Sequence, residues 1–159
     1  MFLVRHAKPS WDDATAAEQD RPLDARGKRD APKMGKRLAK RGVRPDLIVS
    51  SPAKRALQTA RIVAKELDYK LKDIVADDRA YAASAGDLLN VIHEIGGKKD
   101  RVMLFGHNPE LTELAHHLSS AITHLPTCAI AEFTFNAKSW PTIGKVTLAK
   151  AALDYPKKT

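Results

Sequence analysis

A chain of 159 residues with 43% apolar and 29% charged side chains can bury one substantial core, and it reads as a single domain over 1–159. Its one cysteine, Cys128, excludes an internal disulfide and a cysteine-based zinc cluster; no apolar run reaches membrane-spanning length, and Arg5 follows Met1 too closely for a secretory leader, so a cytoplasmic protein without a membrane partner is expected. The net charge of +8 would suit nucleic acid or an anionic substrate, but aromatics are only 6% and none interleaves the main basic stretch at 26–44, so that stretch reads as a solvated face and no nucleic-acid partner is expected.

Along the chain, short apolar runs alternate with amphipathic stretches. "MFLV" (1–4) predicts a buried strand, and 7–22 a loop with two prolines and a cluster of acidic groups. Asp24 is placed to cap a helix running to about Lys40, with Ala31, Met34 and Leu38 on one stripe; Pro32 predicts irregularity near its start and Gly42 its stop. "DLIVSS" (46–51) is a second strand. Residues 52–67 form a helix with Pro52 in its first turn and Ala56, Ile62, Val63 and Leu67 on its apolar face. "DIVA" (73–76) is a third strand, and Ser84 caps a helix over 85–95 that Gly96 and Gly97 end. A fourth strand (101–107) and a helix (109–120) follow. Then 128–135 and 145–153 read as two strands with no helix between them, and the tail "YPKKT" is expected to fray. The order predicts an α/β three-layer sandwich: a mostly parallel central sheet, helices on both faces, and an antiparallel C-terminal edge.

Ligands of such sheets lie beyond the carboxyl ends of the strands. There the first strand delivers Arg5 and His6. The second delivers Ser51, with Arg55 one turn into the next helix. The fourth delivers His107, followed by Asn108 and Pro109 at a helix start. Two arginines and two histidines at one edge repel each other unless an anion joins them, and guanidinium forks match phosphoryl oxygens. The two helix starts add partial positive charge. No serine or cysteine stands beside an evident base, whereas histidine is itself a nucleophile when one ring nitrogen is held by a carbonyl and the other keeps its lone pair. Either His6 or His107 fits that role, the other then donating to a phosphoryl oxygen. His93, His116, His117 and His124 lack this context and read as structural or solvated. The histidine pairs have no acidic partner at zinc spacing, so no metal is expected.

"LVRHAK", "SSPAKRALQTA" and "FGHNPEL", in that order, resemble the histidine phosphatase superfamily, the group containing the phosphoglycerate mutases, with Ala7 where a glycine is usual. The short chain, "DRPLDARG" (20–27) and "TCAIAEF" (127–133) resemble more specifically the SixA-like phosphohistidine phosphatases. The resemblance implies an enzyme without metal or other cofactor. It makes His6 the transiently phosphorylated nucleophile, with Arg5, Arg55 and His107 holding phosphoryl oxygens, Arg21 near the phosphate, and backbone N–H groups at Thr127 and Cys128 facing the pocket. Many members carry a glutamate as general acid after the third strand. Here 77–87 contains none, so either Asp77 or Asp78 substitutes or the stretch is a solvated turn.

An alkoxide needs a proton donor to leave, whereas an imidazole protonated near its pKa of about 6.5 does not. This favours phosphohistidine on a partner protein as substrate, with inorganic phosphate as product. A small phosphate ester is the alternative substrate, and a non-catalytic phosphate-binding module the alternative class. The loop at 9–22 is the expected partner-facing rim, with Trp11 either on that rim or packed down on the sheet.

Overall fold

The computed structural model describes residues 1–96 and 98–159. Its elements are β1 Phe2–Arg5, α1 Ala25–Lys40, β2 Leu47–Ser50, α2 Lys54–Glu66, β3 Val75–Ala76, α3 Ala85–His93, β4 Val102–Gly106, α4 Glu110–Leu118, β5 Ile130–Phe135 and β6 Leu148–Asp154. The six strands form one sheet in the order β3-β2-β4-β1-β5-β6. The first four pair in parallel, while β5 runs antiparallel to both β1 and β6. This is the α/β sandwich with an antiparallel C-terminal edge that the element order predicts.

Side-chain alternation explains the two helical layers. Phe2 and Val4 of β1, Ile48 of β2, and Met103 and Phe105 of β4 point to one face, where Ala31, Met34 and Leu38 of α1 and Ala60 and Val63 of α2 cover them. The intervening Leu3, Val49 and Leu104 point to the other face, beneath Leu88 and Val91 of α3 and Leu111 and Leu114 of α4. Strands buried on both sides read as continuous apolar runs, which is why "MFLV" and "VMLF" carry no polar alternation.

Local signals act as expected at several ends. Asp24 accepts a hydrogen bond from the Gly27 N–H at the start of α1, and Gly42 takes φ +73° just past its end. Ser84 and Asp87 form a reciprocal capping box on α3. Elsewhere the structure corrects the reading. Helix α1 continues through Pro32, because one lost N–H is outweighed by the buried stripe of Ala31, Met34 and Leu38. Strand β3 shrinks to two exposed residues, since 71–73 close into a 3-10 turn. Helix α3 ends at His93, ahead of Gly96; Gly97 lies outside the described residues.

The tail does not fray. Arg37 donates to Asp154 Oδ1 at 2.8 Å and to the carbonyls of Tyr155 at 2.9 Å and Lys158 at 3.0 Å, and Lys33 Nζ donates to the carbonyl of Pro156, which is buried. Part of the basic helix thus holds the C-terminus, while Lys28, Arg29, Lys36 and Lys40 are solvated as expected.

Gly27 sits where α1 crosses the segment after His6. A Cβ there would lie 2.5 Å from the Lys8 carbonyl oxygen and 3.2 Å from Leu23 Cβ. Backbone atoms cannot step aside as a flexible side chain does, so Gly27→Ala is expected to cost roughly 1–3 kcal/mol, read as a lowered denaturant midpoint with an unchanged m-value. A midpoint equal to wild type would show that the crossing has slack.

Candidate active site

Three parallel strands end level with one another. The His6 N–H donates to the Gly106 carbonyl, the Ser51 N–H to the Phe105 carbonyl, and the Arg5 N–H to the Ala129 carbonyl. This alignment gathers the ends of β1, β2 and β4. His6 and His107 lie with ring centroids 5.0 Å apart, both buried.

His6 is fixed by its own neighbourhood. Its Nδ1 lies 2.7 Å from the Ala7 carbonyl oxygen, which only accepts, so Nδ1 carries the proton. Ala7, fully buried, is itself held by its N–H donating to Thr59 Oγ1 at 3.0 Å. The remaining nitrogen, Nε2, carries the lone pair and faces Arg55 Nε at 3.3 Å. Of the two histidines the sequence left open, His6 is therefore the one with a carbonyl-held ring. His107 Nε2 instead meets Ser51 Oγ at 2.7 Å, and its Nδ1 is buried without a partner among the described residues.

Arg55 is directed at His6, and Arg5 is anchored beside the same strand end. Arg5 Nη1 donates to the Leu125 carbonyl at 2.9 Å, the same oxygen that Asn108 Nδ2 reaches at 2.9 Å. Arg5 Nε is buried and has no partner among the described residues. An unpartnered buried donor on Arg5 and an unpartnered ring nitrogen on His107, beside the lone pair of His6, suit an oxyanion with a reacting centre between them. Among the described residues no group of three or more His, Cys, Asp or Glu is placed to hold a metal.

Burial lowers the pKa of His6 to about 4; Arg55 and Arg5 add to this, and the bond to Ala7 opposes it. Burial likewise brings His107 to about 3, reinforced by His6, Arg55 and Arg5. Both rings are neutral at pH 7. An unfolded histidine titrates near about 6.5, so below that pH the unfolded chain binds more protons than the folded one. Stability is therefore expected to fall as pH drops from about 6.5 toward 4. The ring-proton NMR signals of these two histidines should keep their neutral-form positions down to about pH 5; titration between pH 6 and 7 would contradict it.

The other candidates are placed differently. Arg21 stacks its guanidinium over the Trp11 ring at 3.8 Å, with Nη1 3.4 Å from the Ser10 carbonyl. Trp11 is 67% exposed, so it does not pack on the sheet. Thr127 Oγ1 accepts from Arg26 at 2.9 Å. The Cys128 N–H donates to the His6 carbonyl at 3.0 Å, so it braces the histidine backbone and is not free to face the pocket; its thiol is buried and pushed up to about 12. Asp78 is exposed with no side-chain partner among the described residues. Asp77 is bound by Arg79, which lowers its pKa, the wrong direction for an acid. The stretch 77–87 is not simply a solvated turn: a 3-10 turn at 78–80 buries Ala80, and Ser84 and Asp87 open α3.

Two carboxyls escaped the sequence reading. Glu18, from the 9–22 loop, brings its Oε1 to 2.5 Å from Arg55 Nη2 and its carbonyl to 2.9 Å from Nη1, and it accepts a hydrogen bond from the Tyr81 hydroxyl. Glu110, in the first turn of α4, is buried with one oxygen unpartnered among the described residues, and burial raises its pKa. Thr59 had a signal, since it stands one helical turn beyond Arg55 on the same face; Glu18 had none within its acidic run.

Residues 1–110 match the sequence profile of the histidine phosphatase superfamily, branch 1. The chain belongs to this family. This histidine phosphatase is 32% identical over 148 residues to a chloroplastic protein of Arabidopsis thaliana, a match covering 88% of this chain and 68% of that one. Its fold superimposes on that of Agrobacterium tumefaciens SixA, assigned as a phosphohistidine phosphatase, with TM-score 0.79, 28% identity and 95% of each chain covered. The fold of the protein histidine phosphatase SixA complexed with tungstate matches with TM-score 0.76 at 22% identity, over 94% of each chain. The resemblance to the SixA-like group therefore stands, and the chain is a phosphatase. Among the described residues no helix of this phosphatase is long and apolar enough to cross a membrane.

Proposed function

We propose that the chain is a single histidine-phosphatase domain over 1–159 that removes phosphate from phosphohistidine on a partner protein in the cytoplasm, with His6 as the phosphoryl carrier. The observation that carries this reading is the ring of His6, with Nδ1–H on the Ala7 carbonyl and the Nε2 lone pair directed at the Arg55 guanidinium. Nε2 attacks phosphorus while the P–N bond of the substrate breaks. Its electron pair returns to the leaving imidazole, which departs neutral because its other nitrogen is already protonated. Phosphorylated His6 is then a cation, stabilised at Nδ1–H by the Ala7 carbonyl. Water attacks phosphorus, the P–Nε2 bond breaks, and the proton released passes to solvent with inorganic phosphate. Arg5, Arg55 and His107 hold the three equatorial oxygens as charge develops. Arg21 and the Thr127 N–H are assigned to the margin of the phosphate site.

Two observations support phosphohistidine over an alkyl ester. Neither Asp77 nor Asp78 is disposed to donate a proton, and the SixA structure from Agrobacterium tumefaciens carries that assignment at 28% identity. Turnover of a phosphohistidine peptide, an aryl phosphate and a sugar phosphate tests the reading. The expected order places phosphohistidine ahead of the sugar phosphate by at least ~10² in kcat/KM, the range a missing general acid accounts for. Equal turnover of the sugar phosphate would favour a small-ester phosphatase. Absence of any alkali-stable phosphoenzyme after rapid quench, together with no turnover, would favour a binding module.

A further inference from the structure

Arg55 has all its donor nitrogens engaged: Nε on His6 Nε2 at 3.3 Å, Nη1 on the Glu18 carbonyl at 2.9 Å, and Nη2 on Glu18 Oε1 at 2.5 Å. The carboxylate takes the same fork that a phosphoryl group would use. It is also pinned from the other side, since the Tyr81 hydroxyl donates to Glu18 Oε2 and the Tyr81 ring stands edge-on to His107 at 5.7 Å. The layering has a direction. The Arg55 side chain is 9% exposed and that of Glu18 is 57%, so the carboxylate lies on the solvent side of the guanidinium. The carboxylate therefore stands beside the side on which Arg55 meets solvent.

We propose that Glu18 sets the charge selectivity of this phosphatase: it yields Arg55 Nη2 to the incoming phosphoryl group, stays at the rim, and so admits substrates whose phosphorus substituent is neutral or cationic while disfavouring those with a second anion beside it. Two tethers keep it there after it gives up Nη2, its own backbone carbonyl on Nη1 and Tyr81 on the far oxygen. Asp20 belongs to the same short turn, and Asp12, Asp13 and Arg21 lie on the same loop. A protonated phosphoimidazole is a cationic substituent, and a sugar acid phosphate is an anionic one. The inference rests on the reading that Arg55 receives the phosphoryl group, but not on which protein supplies it.

Two alkyl phosphates of opposite charge test this without requiring that either be turned over. Phosphoethanolamine and 3-phosphoglycerate are titrated as competitive inhibitors of nitrophenyl phosphate hydrolysis, in wild type and in Glu18→Gln. The wild type is expected to prefer the cationic compound by about tenfold, the scale of one screened charge pair near a protein surface, and Glu18→Gln to bring the ratio to within about twofold of unity. Glu18→Ala should do the same, which separates charge from shape. In the wild type alone, the preference should shrink as salt is raised from about 0.02 to 0.5 M. An active Glu18→Gln enzyme with the wild-type ratio overturns the inference and leaves the catalytic reading standing. Wild-type protein that neither hydrolyses nitrophenyl phosphate nor is bound by vanadate overturns both.

Discussion

Replacing His6 with alanine is expected to abolish turnover, lowering kcat by on the order of 10⁴–10⁶, as removal of a covalent nucleophile does. The site also holds a hydroxyl–imidazole pair that the sequence does not show, Ser51 Oγ on His107 Nε2 at 2.7 Å; Ser51 is fully buried and its Oγ also accepts from the Ala53 N–H. His107 lies 5.0 Å away centroid to centroid, but its Nε2 is occupied by Ser51 and no carbonyl fixes its tautomer. Cys128, the only thiol, is buried and pushed up to about 12, so it is not a thiolate at neutral pH. The loss should be chemical and not structural. His6→Asn, which retains a polar side chain beside the Ala7 carbonyl, should be equally inactive with a melting temperature near wild type. Rapid quench into alkali, in which phosphohistidine survives, should trap phosphate on the wild-type protein and none on either variant. A labelled phosphoenzyme in His6→Ala would move the nucleophile elsewhere.

Arg55→Ala is expected to reduce kcat/KM by about 10²–10³, equivalent to roughly 3–4 kcal/mol of transition-state stabilisation, the usual effect of deleting one preorganised donor. Arg55 also aligns His6, because its Nε is the group that meets the Nε2 lone pair. Arg55→Lys should therefore recover little. An ammonium is a single point and cannot face His6 and hold a phosphoryl oxygen at fixed geometry at the same time. The same substitution releases the Glu18 anchor, so the 9–22 loop should gain hydrogen exchange in Arg55→Ala while the sheet does not. A variant with near-normal kcat/KM would place Arg55 outside the reacting group.

These expectations depend on residues of very different legibility. Arg5, His6, Arg55 and His107 were readable because each follows a strand or opens a helix whose apolar pattern is unambiguous, and a parallel sheet brings such ends to one edge. Thr59, which holds Ala7, was readable in principle from helical spacing. Glu18 was not, because nothing local distinguishes it from Asp12, Asp13 or Asp20 in a loop without periodicity. Its role comes from where a 3-10 turn at 18–20 lands against α2. The Cys128 N–H is illegible in the sequence for a related reason. The backbone there turns through φ 63°, which aims its N–H at the His6 carbonyl, and no residue type announced that turn. In the tail and at Pro32 long-range contacts override local propensity: Arg37 and Lys33 reach the last carbonyls, and a buried stripe carries α1 past its proline.

The layered α/β architecture, the chain order of strands and helices, and the four cationic or imidazole groups at their ends follow from local sequence, because apolar periodicity and helix caps are properties of neighbouring residues. Which histidine holds its lone pair toward Arg55, which carboxylate stands over that arginine, and which backbone groups are already engaged emerge from the folded arrangement. Those depend on groups separated by tens of residues along the chain, and hydrogen-bond geometry over such separations is fixed by packing alone.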